Sequence, residues 1–442
     1  MVSRLGSAVR AYSWYYLALL TLIYIMGSID RGVISVIAEP LKLHFHLSDE
    51  QIGLLGGMGY STAYAIAILP AGWLIDRNNR RNLLSITVSV WGILTAVSAF
   101  TSTYSTLLIA RSLVGAAETP IAPGSLSLIA DAFPRDRRNT AVGIYYGGAS
   151  VGQIMLFLGG GWLLANFDWR SAFLVAGIPA VVLAALLLMT TVEPERGAFD
   201  VVTRGSAAHA TQAAQNGPLA AALTIWRSWP LLLSIPAIAI TSGVPYAVTV
   251  WSTSFFVRVH HLTVSQGLTW TGISFGLCMA IGSFAVGPMA DRFSRGNPHK
   301  LAIIPAVTLV LAIVAGILML LGPSEVDAIA GLAFFSLMCG FFYPTSYSIA
   351  LFLSPPEQRG SIMAAVRMIS TLLGGGLLPL MIGILSDAIG GEGGIRFALL
   401  FAIFLLAVCA GIYGWMYRLL KSEQPVAPEE QVIGILSGGK KL

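Results

Sequence analysis

Five ionisable side chains fall inside long apolar runs: Asp30, Arg31, Arg111, Glu118 and Arg367. A charge in such surroundings is costly unless it is paired or wet, so these residues pair with one another or line a polar path. Burial favours the protonated form of a carboxylate, and a neighbouring guanidinium favours the ionised form. An Arg that moves relative to a carboxylate therefore switches its affinity for a proton. Two readings stay open at this stage: a proton-handling device, or a static salt bridge tying helices together. An Asp30→Asn change separates them.

The elements that must position these residues are set by composition. Of the 442 residues, 56% are apolar and only 11% charged, more apolar surface than a water-soluble domain can hide. The apolar residues form twelve runs of about 19 or more, the length a helix needs to cross roughly 30 Å of hydrocarbon. Six lie at 14–37, 51–75, 83–101, 105–130, 140–165 and 171–191, and six at 229–257, 264–290, 301–321, 326–353, 360–388 and 394–420. The expected fold is an all-α integral membrane protein of twelve transmembrane helices in two pseudo-symmetric six-helix bundles. Residues 1–192 would form the first bundle, 193–228 a cytoplasmic linker, 229–420 the second bundle, and 421–442 a cytoplasmic tail.

Lys and Arg are retained on the cytoplasmic side during insertion. With the N-terminus inside, 19 of the 26 basic residues lie in inner segments and four in outer loops: Lys42, Arg170, Arg258 and Arg396. Both termini are expected in the cytoplasm, and the absence of an N-x-[ST] acceptor favours a bacterial inner membrane. The net charge of +5 is thereby explained without nucleic acid. Counting 1.5 Å per residue, Asp30 on helix 1 and Arg111 on helix 4 both sit roughly 10 Å below the outer surface, at one depth. Glu118, seven residues after Arg111, shares its face and lies deeper. The expectation is that Asp30 and Arg111 open and close around Glu118, the better proton carrier.

The two bundles echo each other. GWLIDRNNRR at 72–81 follows helix 2 and GPMADRFSR at 287–295 follows helix 8, 215 residues later; FPRDRR and PPEQR follow helices 4 and 10. Repeated landmarks argue for a duplicated unit. The G-x-x-x-D-R loop with its trailing basic residues resembles the major facilitator superfamily, across essentially the whole chain. The resemblance implies alternating access, with Asp76, Arg77, Arg80 and Arg81, and in the second half Asp291 and Arg292, bracing the cytoplasmic helix ends as a gate. Asn79 stands where that family usually has Gly. More narrowly, LSDEQIGLLGGMGY, RSLVGAAETPIAP, DAFPRDRRNTAVGIYYGGASVGQ and FFVRVHHLTVSQGLTWTGISFG resemble the spinster-like lipid carriers, with a sister pattern in organic anion–cation symporters. That likeness implies proton linkage and substrate contact by Asp30, Arg31, Arg111 and Glu118. Those families often have Asn where this chain has Gly27.

Positions of the second half equivalent to Asp30, Arg111 and Glu118 carry no charge, so an apolar lining is expected there, suited to an amphipathic anion. Arg367 would contact an anionic head or snorkel to the cytoplasmic surface. Pro236, Gly243 and Pro245 are expected to break helix 7 at a gate whose Tyr246 and Trp251 touch substrate. His44, His46, His260, His261 and His299 are read as loop residues; no histidine or cysteine set has metal-ligand spacing, and no G-x-x-x-x-G-K-[ST] loop is present to hold ATP. No catalytic residue and no cofactor is expected, the proton being the coupling ion. The reading is a proton-coupled secondary carrier, working as a monomer among membrane lipids, for a lysophospholipid or sphingoid-like anion. The alternative is a symporter of small organic acids such as sugar acids.

Overall fold

The computed structural model describes residues 2–197, 218–294, 298–355, 358–391 and 393–422; most of the expected linker and all but the start of the expected tail lie outside them. Among the described residues there is no strand. The spanning helices are α1 (Val2–Phe45), α2 (Asp49–Gly53, continuing through Leu54–Met58 into Gly59–Arg77), α3 (Arg80–Ser98), α4 (Tyr104–Ala132), α5 (Arg135–Asn166) and α6 (Arg170–Thr190). The second set is α7 (Trp229–His260), α8 (Val264–Ala290), α9 (Lys300–Leu321), α10 (Glu325–Leu353), α11 (Arg359–Ile389) and α12 (Gly394–Ser422). Eleven are long and apolar enough to cross a bilayer without a sharp bend. The twelfth, α2, bends by 47° between Ile68 and Pro70, where the proline removes a ladder hydrogen bond.

The turn from α1 to α2 and that from α7 to α8 are built alike. Each helix ends on a histidine in the left-handed region, His46 at φ 53° and His261 at φ 54°. Two residues later comes a capping box, in which Ser48 pairs reciprocally with Gln51 and Thr263 with Gln266. Each box satisfies two otherwise orphaned amide groups of the next helix. The corresponding residues stand 215 positions apart, the spacing of the two D-R loops. A widened π segment then follows in both halves, at Leu54–Met58 and Ile273–Cys278; such bulges gather at functional sites.

In the first half α1 packs on α5, α2 on α4 and α3 on α6; in the second, α9 packs on α10 and α12, and α7 on α11. Glycine permits the tightest of these. A Cβ on Gly177 of α6 would fall 2.5 Å from the Gly92 carbonyl of α3, and one on Gly243 of α7 would fall 2.3 Å from the Gly374 Cα of α11, so any side chain would force the backbones apart. The halves meet through α2 against α11, α5 against α8 and α1 against α7.

Three expectations change. Helix α7 runs unbroken through Pro236 and Pro245: each proline removes a single ladder bond, and packing against α10, α11 and α12 holds the rest of the helix together. Residues 218–227, read as linker, form a short helix, Pro218–Arg227, packed on α7 and the start of α11 through Ile225. His44 and His260 belong to helix ends rather than loops.

Candidate functional site

Between the halves lies a cavity of about 380 Å³. Helix α1 supplies Tyr24, Ser28 and Arg31, α2 supplies Tyr60, Ser61 and Tyr64, and α4 and α5 supply Glu118 and Gln153. From the second half come Ser242, Tyr246 and Thr249 of α7, Ser283 of α8, Tyr343 and Tyr347 of α10, and Arg367, Ser370 and Thr371 of α11. The expected apolar lining of the second half is thus corrected: its aromatic contribution is mostly tyrosine, and hydroxyls from four helices share its wall.

Glu118 sits where α4 falters. Its ladder is interrupted at Thr119 and Pro120 and resumes at Ile121, since proline has no amide hydrogen to give. The Glu118 Oε2 accepts from Arg31 Nη1 at 2.9 Å and from the Tyr60 hydroxyl at 2.6 Å; Oε1 has no partner among the described residues. Arg31 in turn lies 5.6 Å over the Tyr24 ring and keeps a third of its side chain exposed, against 1% for Glu118. This is a charge-assisted pair whose cation borders open space.

Asp30 and Arg111 do pair at one depth, with Arg111 Nη1 donating to Asp30 Oδ1 at 2.9 Å and Nη2 to the Asp30 backbone carbonyl at 3.0 Å. The carboxylate is closed off further by Thr95 Oγ1 at 3.0 Å and Trp91 Nε1 at 2.8 Å, both from α3. Neither Asp30 nor Arg111 lines the cavity. The expectation that this pair surrounds Glu118 is therefore corrected, because Arg31 holds that place. Consecutive residues on a helix point about 100° apart, so Asp30 faces the core of the first half while Arg31 faces the cavity.

Tyr246 lines the cavity and donates to the Gly56 carbonyl at 2.9 Å, bridging the halves. Trp251 does not join it; fully buried, its Nε1 donates to the Pro379 carbonyl at 3.1 Å inside the second half. Arg367 lines the cavity, with the Tyr343 hydroxyl at 3.5 Å.

The two ends of the bundle are organised differently. At the end holding the D-R loop, Arg80 is buried and donates to Asp131 at 2.5 Å, Glu193 at 2.7 Å and Ser127 Oγ at 2.7 Å. Arg81 donates through its backbone to Glu193 at 2.8 Å. Asp76 is exposed and Arg77 stacks over Trp73 at 4.7 Å. Arg196 caps α2 by donating to the carbonyls of Ile75, Asp76 and Asn78. Asn79 accepts from the Asn82 amide at 2.9 Å and so serves as the N-cap of α3, which is what an asparagine does there that a glycine would do less well. Arg292 is exposed, and the Asp291 side chain lies outside the described residues. Asp131, Glu193 and Arg196 were not singled out from the sequence; only their nearness to the landmark motifs hinted at them.

At the opposite end the halves are locked together. Arg258 of α7 donates to Glu39 at 2.6 and 3.0 Å and to Asp49 at 2.7 and 3.0 Å. Asp49 also pairs with Lys42 and accepts from Ser386 at 2.6 Å. Asp387 of α11 accepts the amides of Asp49 and Glu50 at 3.0 and 2.7 Å, an acidic cap on the first turn of α2. From sequence, Lys42 and Arg258 are simply two of the four basic residues assigned to outer loops.

Residues 20–379 match the Major Facilitator Superfamily. The fold superposes on the crystal structure of a bacterial homologue of the human lysosomal transporter Spinster, in an inward-facing, unoccupied conformation, with a TM-score of 0.81, 26% identity, and coverage of 94% of this chain and 99% of that one. An MFS-type efflux pump of Mycolicibacterium smegmatis is 26% identical over 91% of each chain. The hexuronate transporter of Escherichia coli K12 is 23% identical, covering 86% of this chain and 89% of its own. With twelve helices in place around a shared central cavity, this chain belongs to the major facilitator superfamily, as a spinster-like, multi-pass membrane transporter.

Proposed function

We propose that this transporter couples the movement of an organic anion to protons, with Glu118 as the proton site and Arg31 as the partner that leaves or returns. The observation that carries the reading is the Glu118 carboxylate itself: one oxygen is held by Arg31 and Tyr60 and the other is unpartnered at the cavity wall. A proton on Oε1 would discharge the pair and release Arg31 from it; loss of that proton would restore both the pair and the acceptor at the cavity wall.

Both termini are placed in the cytoplasm on the distribution of basic residues, in a bacterial inner membrane, with the monomer as the working unit. The end locked by Arg258 then faces outward and the state described is inward-facing. In this orientation Arg258, Glu39, Asp49 and Asp387 form the outer gate. The Arg80 cluster braces the first half on the inner side, where Asp76, Arg77, Arg81, Asp291 and Arg292 would engage in the opposite state.

The size and hydroxyl-rich walls of the cavity favour a small organic acid over a lysolipid. Its volume lies near the lower end of the about 300–1,000 Å³ typical of small-molecule pockets. A lysophospholipid or sphingoid-like anion remains the second reading, favoured by the likeness to the spinster homologue. The test is proton movement in proteoliposomes holding a pH dye, with sugar acids and lysophospholipids offered in parallel to wild type and Glu118→Gln. Proton flux driven by one class and abolished by Glu118→Gln supports the reading and names the class. Flux of labelled substrate that persists in Glu118→Gln and ignores the pH gradient overturns it.

A further inference from the structure

The charges around the cavity do not balance. Arg31 and Glu118 neutralise each other at 2.9 Å, and Asp30 with Arg111 is a closed pair elsewhere. That leaves Arg367, which has no carboxylate partner among the described residues; it borders neutral hydroxyls, with that of Tyr343 at 3.5 Å. Arg367 lies eight residues into α11, so at 1.5 Å per residue it is about 12 Å from that helix end, and its side chain is exposed to the cavity. A solvated surface position does not explain it. Across the cavity the unmet hydrogen-bonding capacity has the opposite sense. Glu118 Oε1 and Gln153 Oε1 are both buried acceptors without a donor, on α4 and α5 of the first half. Buried acceptors left unmet cost free energy that a bound donor recovers.

Building on the anion-carrier reading above, we propose that the cavity is polarised across the two halves: Arg367 of the second half anchors the substrate's anionic group, while hydroxyls at the substrate's other end donate to Glu118 Oε1 and Gln153 Oε1 of the first. The substrate class is a short hydroxylated organic monoanion, and Arg367 sets its charge selectivity. A guanidinium takes a carboxylate or phosphate through two parallel hydrogen bonds, and one negative charge brings the cavity to neutrality while Glu118 is ionised. A solute gripped at both ends ties α11 to α4 and α5, so binding itself draws the halves together around it.

The test uses the purified full-length protein at about pH 5, where a phosphate monoester carries mainly one negative charge, with four probes, gluconate, glucose 6-phosphate, glucose and hexanoate, read by ligand-induced thermal stabilisation and by competition. At least one of the two hydroxylated anions is expected to bind, with glucose and hexanoate weaker by about tenfold or more; which of the two binds tells carboxylate from phosphate. Arg367→Gln should weaken the hydroxylated anion by about 10- to 100-fold, the range for losing a charged hydrogen-bond partner, without changing the melting temperature of the unliganded protein or the response to glucose. Arg367→Lys should recover part of the loss, and Gln153→Leu should narrow the gap between gluconate and hexanoate. Undiminished anion binding by Arg367→Gln, hexanoate binding as tightly as gluconate, or no binding of either hydroxylated anion overturns the proposal. Proton flux in Glu118→Gln, measured on the same preparations, keeps the outcomes apart: loss of flux together with intact binding in Arg367→Gln removes this assignment and leaves the transport reading standing. Flux indifferent to Glu118 removes the transport reading whatever Arg367 does.

Discussion

Helices α1 and α4 carry two acid–base pairs within a few residues of each other, and they are built for opposite ends. In the Asp30–Arg111 pair both carboxylate oxygens are occupied, by Arg111, Thr95 and Trp91, and no part of the carboxylate reaches water. In the Glu118–Arg31 pair one oxygen is vacant and the arginine is one-third exposed. The same chemistry is closed off in one place and left open in the other, which is what the rivet and the proposed switch respectively require. What differs is the number of partners on the carboxylate and the access of its cation to open space, not the residue types.

The comparison can be broken most forcefully at the rivet. Asp30→Ala leaves Arg111 buried without a counter-charge, and should cost about 3–5 kcal/mol; the expected result is loss of monodisperse protein in detergent or a large fall in melting temperature. Asp30→Asn, which keeps the shape, should also destabilise, while Glu118→Gln leaves the melting temperature near wild type and removes proton flux. If Asp30→Asn instead melts like wild type and abolishes coupling, the roles of the two pairs are reversed. Trp91→Phe removes one hydrogen bond to a charged acceptor and should cost about 1.5–3 kcal/mol, visible in thermal melts with transport retained. The smallest effect is expected from Tyr60→Phe, which deletes one of the two donors to Glu118: proton-coupled flux should fall by less than in Glu118→Gln, with stability unchanged.

The two ends of the bundle can be tested by the same logic. A side chain at Gly383 of α11 would meet the Asp49 carbonyl at 2.3 Å, in the midst of the Arg258 lock. Gly383→Val should wedge that end open and raise the labelling rate of a cysteine placed on the cavity wall by a reagent added from that side.

The pairing of Asp30 with Arg111 was legible in the sequence because it depends on depth, and depth follows from counting residues along two spans. The partner of Glu118 was not. Arg31 stands next to Asp30 in the chain and was grouped with it, and only the rotation of about 100° between neighbours sends it to the cavity. The apolar lining expected of the second half rests on three uncharged equivalent positions, whereas Tyr343 and Tyr347, which match none of them, present hydroxyls beside Arg367. The Arg258 lock joins residues 209 and 219 positions apart, and no local pattern announces such a contact. Helix count and duplication were the most legible features, since hydropathy and repeated D-R loops depend on short stretches of chain.

The matching histidine corners and capping boxes bear on how the protein is assembled. Each half carries its own helix-ending and helix-starting signals, and the ion pairs of the first half, Asp30–Arg111, Glu118–Arg31 and Arg80 with Asp131 and Glu193, all close within its first 193 residues. The first bundle can therefore complete its internal wiring while the second is still on the ribosome. Arg258, which joins the halves, emerges only after that wiring is complete, so docking comes last in biogenesis; under the outer-gate assignment proposed above it is also the contact each transport cycle remakes.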